Sequence, residues 1–472
     1  MSRIVVGPFN RVEGDLEVSL DLEQGRVQAA YVNSPLFRGF EQILIGRAPL
    51  DALAIVPRIC GICSVAQSAA AASALGDAMG LMPAVNGKLS RNLISATENL
   101  ADHLTHFYLF FMPDFARPAY AGRPWYEAVA RRFTAVKGEA AAEVLPARAG
   151  FLRLMGFLAG RWPHTLAIQP GGSTRAITAG ERIRLLAQLR DFRSFLEKRL
   201  FGDALTVVGH LDSKAALLAW ADGRAADFPA FLHAASDLGL DHLGRSADAF
   251  LSHGAYELFP AGTWQAGQTA VFDPVAIDED TTNAWLVDGK PRHPSRGETI
   301  VDADKAGAYT WCKAPRYAGQ PHEVGALARQ VVAGHPLLLD FVRRDGSSVM
   351  ARVVARLLEL ALVLPVMESW VLALQPGEPF CNQGEMPDEG SGTGLVEAAR
   401  GSLGHWLSIK RGRIDRYQII APTTWNFSPR DAAGQPGPLE QALVGLAAGD
   451  NAEPTVQHVV RSFDPCMVCT VH

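Results

Sequence analysis

Cysteine is scarce in this chain, charge of one sign never accumulates, and no long apolar run occurs. Each absence excludes a class of protein. Six cysteines in 472 residues are too few for a disulfide scaffold. The 44 basic and 49 acidic residues leave a net charge of −5 without long single-sign runs, so there is no electrostatic footprint for nucleic acid or an anionic membrane surface. The most apolar stretch, LLELALVLPVMESWVLAL, is interrupted by Glu359, Pro365 and Glu368. It falls short of the ~18 residues that suggest a membrane span, and no direct membrane insertion is expected. MSRIVVGPFNRVEGD has neither an apolar h-region nor a small-residue cleavage site, so no secretory signal is read and a cytoplasmic location is the expectation. Fixed-period repeats and low-complexity tracts are also missing, which argues against a solenoid.

What is present is ordinary globular material: 48% hydrophobic and 20% charged residues. DLEVSLDLEQGRVQAAYVN alternates apolar and polar residues around Glu23-Gln24-Gly25, the pattern of a two-stranded hairpin within about residues 1–35. LISATENLADHLTHFYLFF, TRAITAGERIRLLAQLRDFRSFLEKRL and VMARVVARLLELALVL repeat apolar residues at helical spacing. Between about residues 258 and 300 the composition turns to Gly, Pro, Asp and Thr with short alternating runs such as NAWLVDG, read as loops and small strands inserted between helices. No linker breaks the chain. The predicted class is α+β, predominantly helical, with residues 1–472 forming one large body.

Four of the six cysteines fall into two C-x-x-C pairs: Cys60 and Cys63 in RICGICS, Cys466 and Cys469 in DPCMVCTVH. Gly61 lets the first loop turn without a side-chain clash, so its two thiolates can converge on one metal. Nearly the whole chain separates the pairs, far beyond the ~15–20-residue spacer of a ribbon-type zinc site. Three uses remain open on spacing alone. One is a structural zinc site, another a thioredoxin-like redox pair, although neither motif stands in a short βαβ unit. The third is a soft-metal site in which each end of the chain donates half the ligands, with thiolates selecting nickel, iron or copper. Cys312 and Cys381 stand alone and read as buried small hydrophobes.

Taken together, RVEGDLEV, RGFEQIL, RICGIC, DHLTHFYLF, PHTLAIQPGG, ARGSLGHW, YQIIAPTTWNFSPRD and the terminal DPCMVCTVH resemble the large subunit of nickel-iron hydrogenases, from about Arg11 to His472. The resemblance implies the large-subunit fold, a central bundle of long helices with small peripheral β-sheets. It further implies that Cys60, Cys63, Cys466 and Cys469 hold nickel, with Cys63 and Cys469 bridging to an iron that carries carbon monoxide and cyanide. Hydrogen would split heterolytically, with Glu13 beside Cys466 as first proton acceptor; a carboxyl starting near pKa ~4.3 needs burial to serve there. Arg400 would hang over the open face of the metals with Asp102 and Asp464 near it, and Thr423 would hydrogen-bond a cyanide. A magnesium or similar divalent cation would sit between Glu41, the backbone carbonyl of Ile419 and His472. No C-terminal extension follows His472, as expected of a processed form or of a branch made without one.

Three departures bear on the branch. Gln67 stands where the motif usually continues to a His, replacing a titratable imidazole with an uncharged amide. Ile62 and Phe110 occupy positions along the gas path where many catalytic members carry Val and Leu. These features resemble the regulatory, hydrogen-sensing branch, which signals to a histidine kinase and often forms a dimer of heterodimers. No cysteines remain for iron-sulfur clusters, so those belong to a small-subunit partner. The alternatives are a respiratory uptake hydrogenase and a non-catalytic scaffold of a complex I-like assembly.

Overall fold

The structure is a computed structural model that describes residues 2–447 and 452–470. The expected N-terminal hairpin forms and gains a third strand: β1 (Ser2–Val6), β2 (Glu17–Glu23) and β3 (Arg26–Asn33) pair antiparallel in that order. Val18, Leu20, Val27, Ala30 and Val32 bury their side chains. The turn has positive φ at both Gln24 (50°) and Gly25 (73°), as a two-residue type I′ turn requires.

The three helix-periodic stretches all become helices. They lie within a set comprising α1 (Ser64–Met79), α2 (Val85–Thr105), α3 (Glu139–Leu158), α4 (Ala179–Phe195), α5 (Val349–Ala373) and α6 (Ala452–Ser462). Both α2 and α4 run on into single π-helical turns, His106–Phe111 and Leu196–Phe201. α5 is apolar nearly all round and continues through Pro365, the signature of a helix at the centre of a protein. It packs against α2, α4 and α6, while α3 bridges α2 and α4. Glu359 of α5 is buried in an ion pair: Arg329 reaches it at 2.8 Å and Glu397 at 2.7 Å, all three side chains fully enclosed.

The inserted strands are more extensive than residues 258–300. They start earlier, with β4 (Ala249–Ala255), β5 (Phe259–Gln265) and β6 (Gln268–Ala270) in one sheet, and end later, with β7 (Ile277–Asp280) paired to β8 (Ala314–Tyr317). A further antiparallel sheet, β9 (Gly390–Ala398), β10 (Gly401–Lys410) and β11 (Arg413–Ile420), has no counterpart in the sequence reading. Its first strand is rich in glycine for a packing reason. Alanine-rich α1 lies directly on β9, so a Cβ at Gly392 would stand 1.9 Å from the Ala74 carbonyl oxygen and one at Gly394 2.0 Å from that of Ala70. Small residues on both partners let helix and strand approach at backbone distance, which fixes the height of α1 and of Cys63 just before it.

One hydrophobic core extends from Phe9 to Cys469, joining both ends of the chain. Among the described residues no helix is long and apolar enough to cross a membrane.

Candidate metal centre

Each cysteine pair is delivered by a break in regular structure. A 3-10 turn, Val56–Ile59, ends in extended backbone at Cys60, and Cys63 immediately precedes α1. After α6 the chain turns through Asp464, with φ of 56°, and enters a last short helix, Met467–Thr470, that carries Cys469. The four thiols meet. Cys60 Sγ lies 3.4 Å from Cys466 Sγ, Cys63 Sγ 3.1 Å from Cys469 Sγ, and Cys466 Sγ 2.9 Å from Cys469 Sγ. All four sulfurs lie within 4.8 Å of one another, all four residues are buried, and none forms a disulfide.

Backbone contacts hold the two ends in register. Glu13 pairs with Cys466 as a parallel bridge; its N–H donates to the Pro465 carbonyl at 3.3 Å and its carbonyl accepts from Met467 N–H at 2.7 Å. Gly14 has a φ of 84°, and a Cβ there would press on Val468 N at 3.0 Å, so the close approach beside Glu13 depends on glycine. Arg38 fastens the pairs to one another: its guanidinium donates to the Ile59 carbonyl at 2.6 Å and also to the Val468 carbonyl. Those are the residues just before Cys60 and Cys469. Arg38 was not singled out in the sequence, although it opens the RGFEQIL motif.

The thiols' electrostatics fit a cation. Hydrogen bonds from Cys466, Cys469 and Cys63 pull the Cys60 thiol well below its ordinary range. The neighbouring sulfurs push Cys63 far up, and burial followed by contact with Cys469 does the same to Cys466. Four thiolates cannot share this space unless positive charge is placed among them, and soft sulfur selects a soft metal. Glu13 is half-buried; burial, then the Cys60 charge, raises its carboxyl against the pull of Arg400 and Arg38.

Arg400, Asp102 and Asp464 do assemble. Arg400 Nη1 lies 2.8 Å from Asp102 Oδ2, and Nη2 3.0 Å from Asp464 Oδ1, while Nε donates to the Asp464 carbonyl at 2.8 Å. Burial opposes the charge on Arg400, yet the two carboxylates hold it well above the usual range. Burial pushes Asp102 up to about 7, with Arg400 pulling back. The Thr423 hydroxyl accepts the Cys466 N–H at 3.2 Å. Gln67 on α1 places Oε1 2.8 Å from His405 Nε2, and His405 Nδ1 lies 2.8 Å from the Tyr417 hydroxyl. A buried carboxylate that the sequence did not reveal, Glu98 on α2, faces the start of α1 from behind Cys63.

The sequence profile of the nickel-dependent hydrogenase family matches residues 38–124 and 117–472. This chain belongs to that family. It is similar to the periplasmic NiFeSe hydrogenase large subunit of Desulfomicrobium baculatum, 31% identical over all of this chain and 95% of the relative. It is also similar to the Hydrogenase-2 large chain of Escherichia coli, 27% identical over 100% and 97% of the two chains. In structure it resembles the reduced Ni-Fe-Se hydrogenase of D. vulgaris Hildenborough, with a TM-score of 0.86, 31% identity and complete coverage of both chains.

In this hydrogenase the carboxylate expected at the hard-cation site has several protein partners. Glu41 is buried, but its Oε1 accepts from the Lys313 ammonium at 2.9 Å and from the Ile419 N–H at 2.8 Å, and Oε2 from the Thr299 hydroxyl. Burial works against the charge on Lys313, while Glu279 and Glu41 hold its pKa above the usual lysine range. Glu41 thus shares one ammonium with Glu279, which lies 2.9 Å from the same Lys313 Nζ, and meets the amide of Ile419. His472 lies outside the described residues. Ile62 sits half-buried on the loop between Cys60 and Cys63, and Phe110 half-buried on the π-turn after α2. Cys312 is buried as expected, whereas Cys381 is only partly so.

Proposed function

We propose that this chain is the active-site subunit of a nickel-iron hydrogenase that splits H2 into protons and electrons. The observation that carries this reading is the meeting of four buried thiols from opposite ends of one polypeptide within 4.8 Å. Cys60, Cys63, Cys466 and Cys469 would hold the metals, Cys63 and Cys469 bridging to iron with its carbon monoxide and cyanide. When bound, such a group supplies the electrophilic site at which H2 is polarised. The rest falls to the chain's own side chains. Glu13, tied by its backbone to the Cys466 strand, receives a proton at its carboxylate; burial brings its affinity closer to what a relay needs. Arg400, fixed by Asp102 and Asp464, keeps a positive charge in place without having to reorganise. The electrons leave through a partner, the small subunit with its iron-sulfur clusters.

The purified complex should reduce a dye in a hydrogen-dependent manner and contain nickel and iron; zinc alone with no dye reduction would reject the reading. Glu13→Gln should slow hydrogen/deuterium exchange by about 10²–10⁴-fold, the scale of a positioned general base, with metal content unchanged. A wild-type exchange rate in that variant would dismiss the relay role.

We further propose that the enzyme serves hydrogen sensing through a histidine kinase. Gln67, Ile62 and Phe110 support this use: Gln67 is buried against His405, and the two bulky side chains would narrow a gas path that ran beside them. Ile62→Val combined with Phe110→Leu should then make activity more sensitive to oxygen, and unchanged inactivation rates under oxygen would remove the channel argument. The name of a relative 27% identical, the quinone-reactive Ni/Fe-hydrogenase large chain of Wolinella succinogenes, favours respiratory uptake as a second reading. Disrupting the gene separates the two. Sensing predicts lost hydrogen-dependent gene expression, and uptake predicts lost hydrogen-driven respiration.

A further inference from the structure

The first backbone amides of a helix have no partner within it, and those of α1 follow directly on Cys63. Here they are met by a side chain from another helix. Glu98 of α2 accepts from Val65 N–H at 3.0 Å and from Ala66 N–H at 3.1 Å. Its Oε2 also accepts from the Trp162 indole N–H at 2.8 Å and lies 3.4 Å from the Ser64 hydroxyl. Two backbone amides, an indole and a hydroxyl therefore converge on one carboxylate that is 3% exposed. The cluster reaches the other cysteine of the loop as well. The Ser64 hydroxyl accepts from His164 N–H at 3.3 Å, and His164 Nδ1 lies 3.0 Å from the carbonyl of Pro57 in the turn that leads to Cys60. Burial of so polar a group is unfavourable unless its acceptors are filled, and here they are filled entirely by the segment that carries Cys60 and Cys63 and by Trp162.

We propose that Glu98 is a positioning residue for the metal centre: it clamps the amides behind Cys63 and so fixes the direction in which that thiolate meets the metals. This rests on the reading that the four cysteines hold nickel and iron. Partners that orient metal ligands from outside change metal affinity or activity by about 10–100-fold when removed. Glu98→Gln replaces one of the two acceptor oxygens by an N–H₂ donor, which must face either the helix amides or the Trp162 indole N–H, loosening the clamp without adding bulk. Trp162→Phe removes one donor and leaves the helix amides held.

The test is infrared spectroscopy of the purified heterodimer, read at the carbon monoxide and cyanide bands, with nickel content measured alongside. Glu98→Gln should displace the bands and lower nickel retention or turnover by about 10–100-fold; Glu98→Asp, still an acceptor only, should restore part of both. Trp162→Phe should retain wild-type nickel and show a smaller displacement, which decides the matter if Glu98→Gln does not fold. Bands at wild-type positions in Trp162→Phe and in every Glu98 variant that folds would overturn the positioning role alone. A wild-type protein without such bands would overturn the nickel-iron reading and this inference with it.

Discussion

Cys469→Ser should abolish hydrogen-dependent dye reduction and leave the protein without nickel. The thiolate proposed to bridge the metals is replaced by a hard hydroxyl that does not ionise near neutral pH. The fall should exceed the about 10–100-fold typical of losing an outer partner of a metal ligand. Cys469 is the sensitive choice because its sulfur touches those of both Cys63 and Cys466, at 3.1 and 2.9 Å. Cys381→Ser is the matched control. Cys381 is half-buried, its thiol donates to the carbonyl of Asn382, and it is not part of the four-thiol cluster, so activity and nickel content should stay at wild-type levels. Equal activities for the two variants would show that the thiol cluster is not where hydrogen reacts.

Arg400→Met should damage both stability and turnover. The guanidinium is the cation between Asp102 and Asp464, and all three side chains are nearly inaccessible to water. Removing one partner of a buried ion pair costs about 3–5 kcal/mol, because an uncompensated charge stays behind. Loss of a preorganised charge at a reacting centre lowers turnover by a further ~10²–10³-fold. The stability deficit should be larger above pH ~7 than below it. Burial already pushes Asp102 up to about 7, and without Arg400 its pKa rises further. As pH falls the carboxyl takes a proton and the clash with Asp464 is relieved. Thermal unfolding across pH, together with dye reduction, measures both effects. A deficit independent of pH would mean that the lost contacts are steric.

The chemistry was far easier to read in the sequence than its supports. Cys60, Cys63, Cys466 and Cys469 are conspicuous because spaced thiols are rare, and Glu13, Arg400 and Asp464 lie in recognisable motifs beside them. Glu98 carries no such mark: it is a single glutamate on α2 with no motif around it, and only folding aims it at α1. Arg38 works through carbonyls, which any residue possesses, so nothing in its neighbours announces what it will bind. The sheet β9–β11 escaped for a different reason. Glycine at Gly392 and Gly394 ordinarily weakens a strand, and here it is demanded by the close approach of α1, a contact between segments distant in sequence. Lys313 was equally unmarked: its ammonium reaches the Glu41 carboxylate from a remote segment. Short motifs report ligands well because ligands need particular atoms; long-range packing leaves a fainter trace.

The central claim is that head and tail of this chain jointly enclose a nickel-iron pair. X-ray absorption at the nickel edge of the purified complex tests it most directly. Nickel surrounded by thiolate sulfur with an iron neighbour, lost in both Cys63→Ser and Cys469→Ser, is the result expected. Sulfur-bound zinc in place of nickel, or nickel held only by nitrogen and oxygen donors, would contradict it.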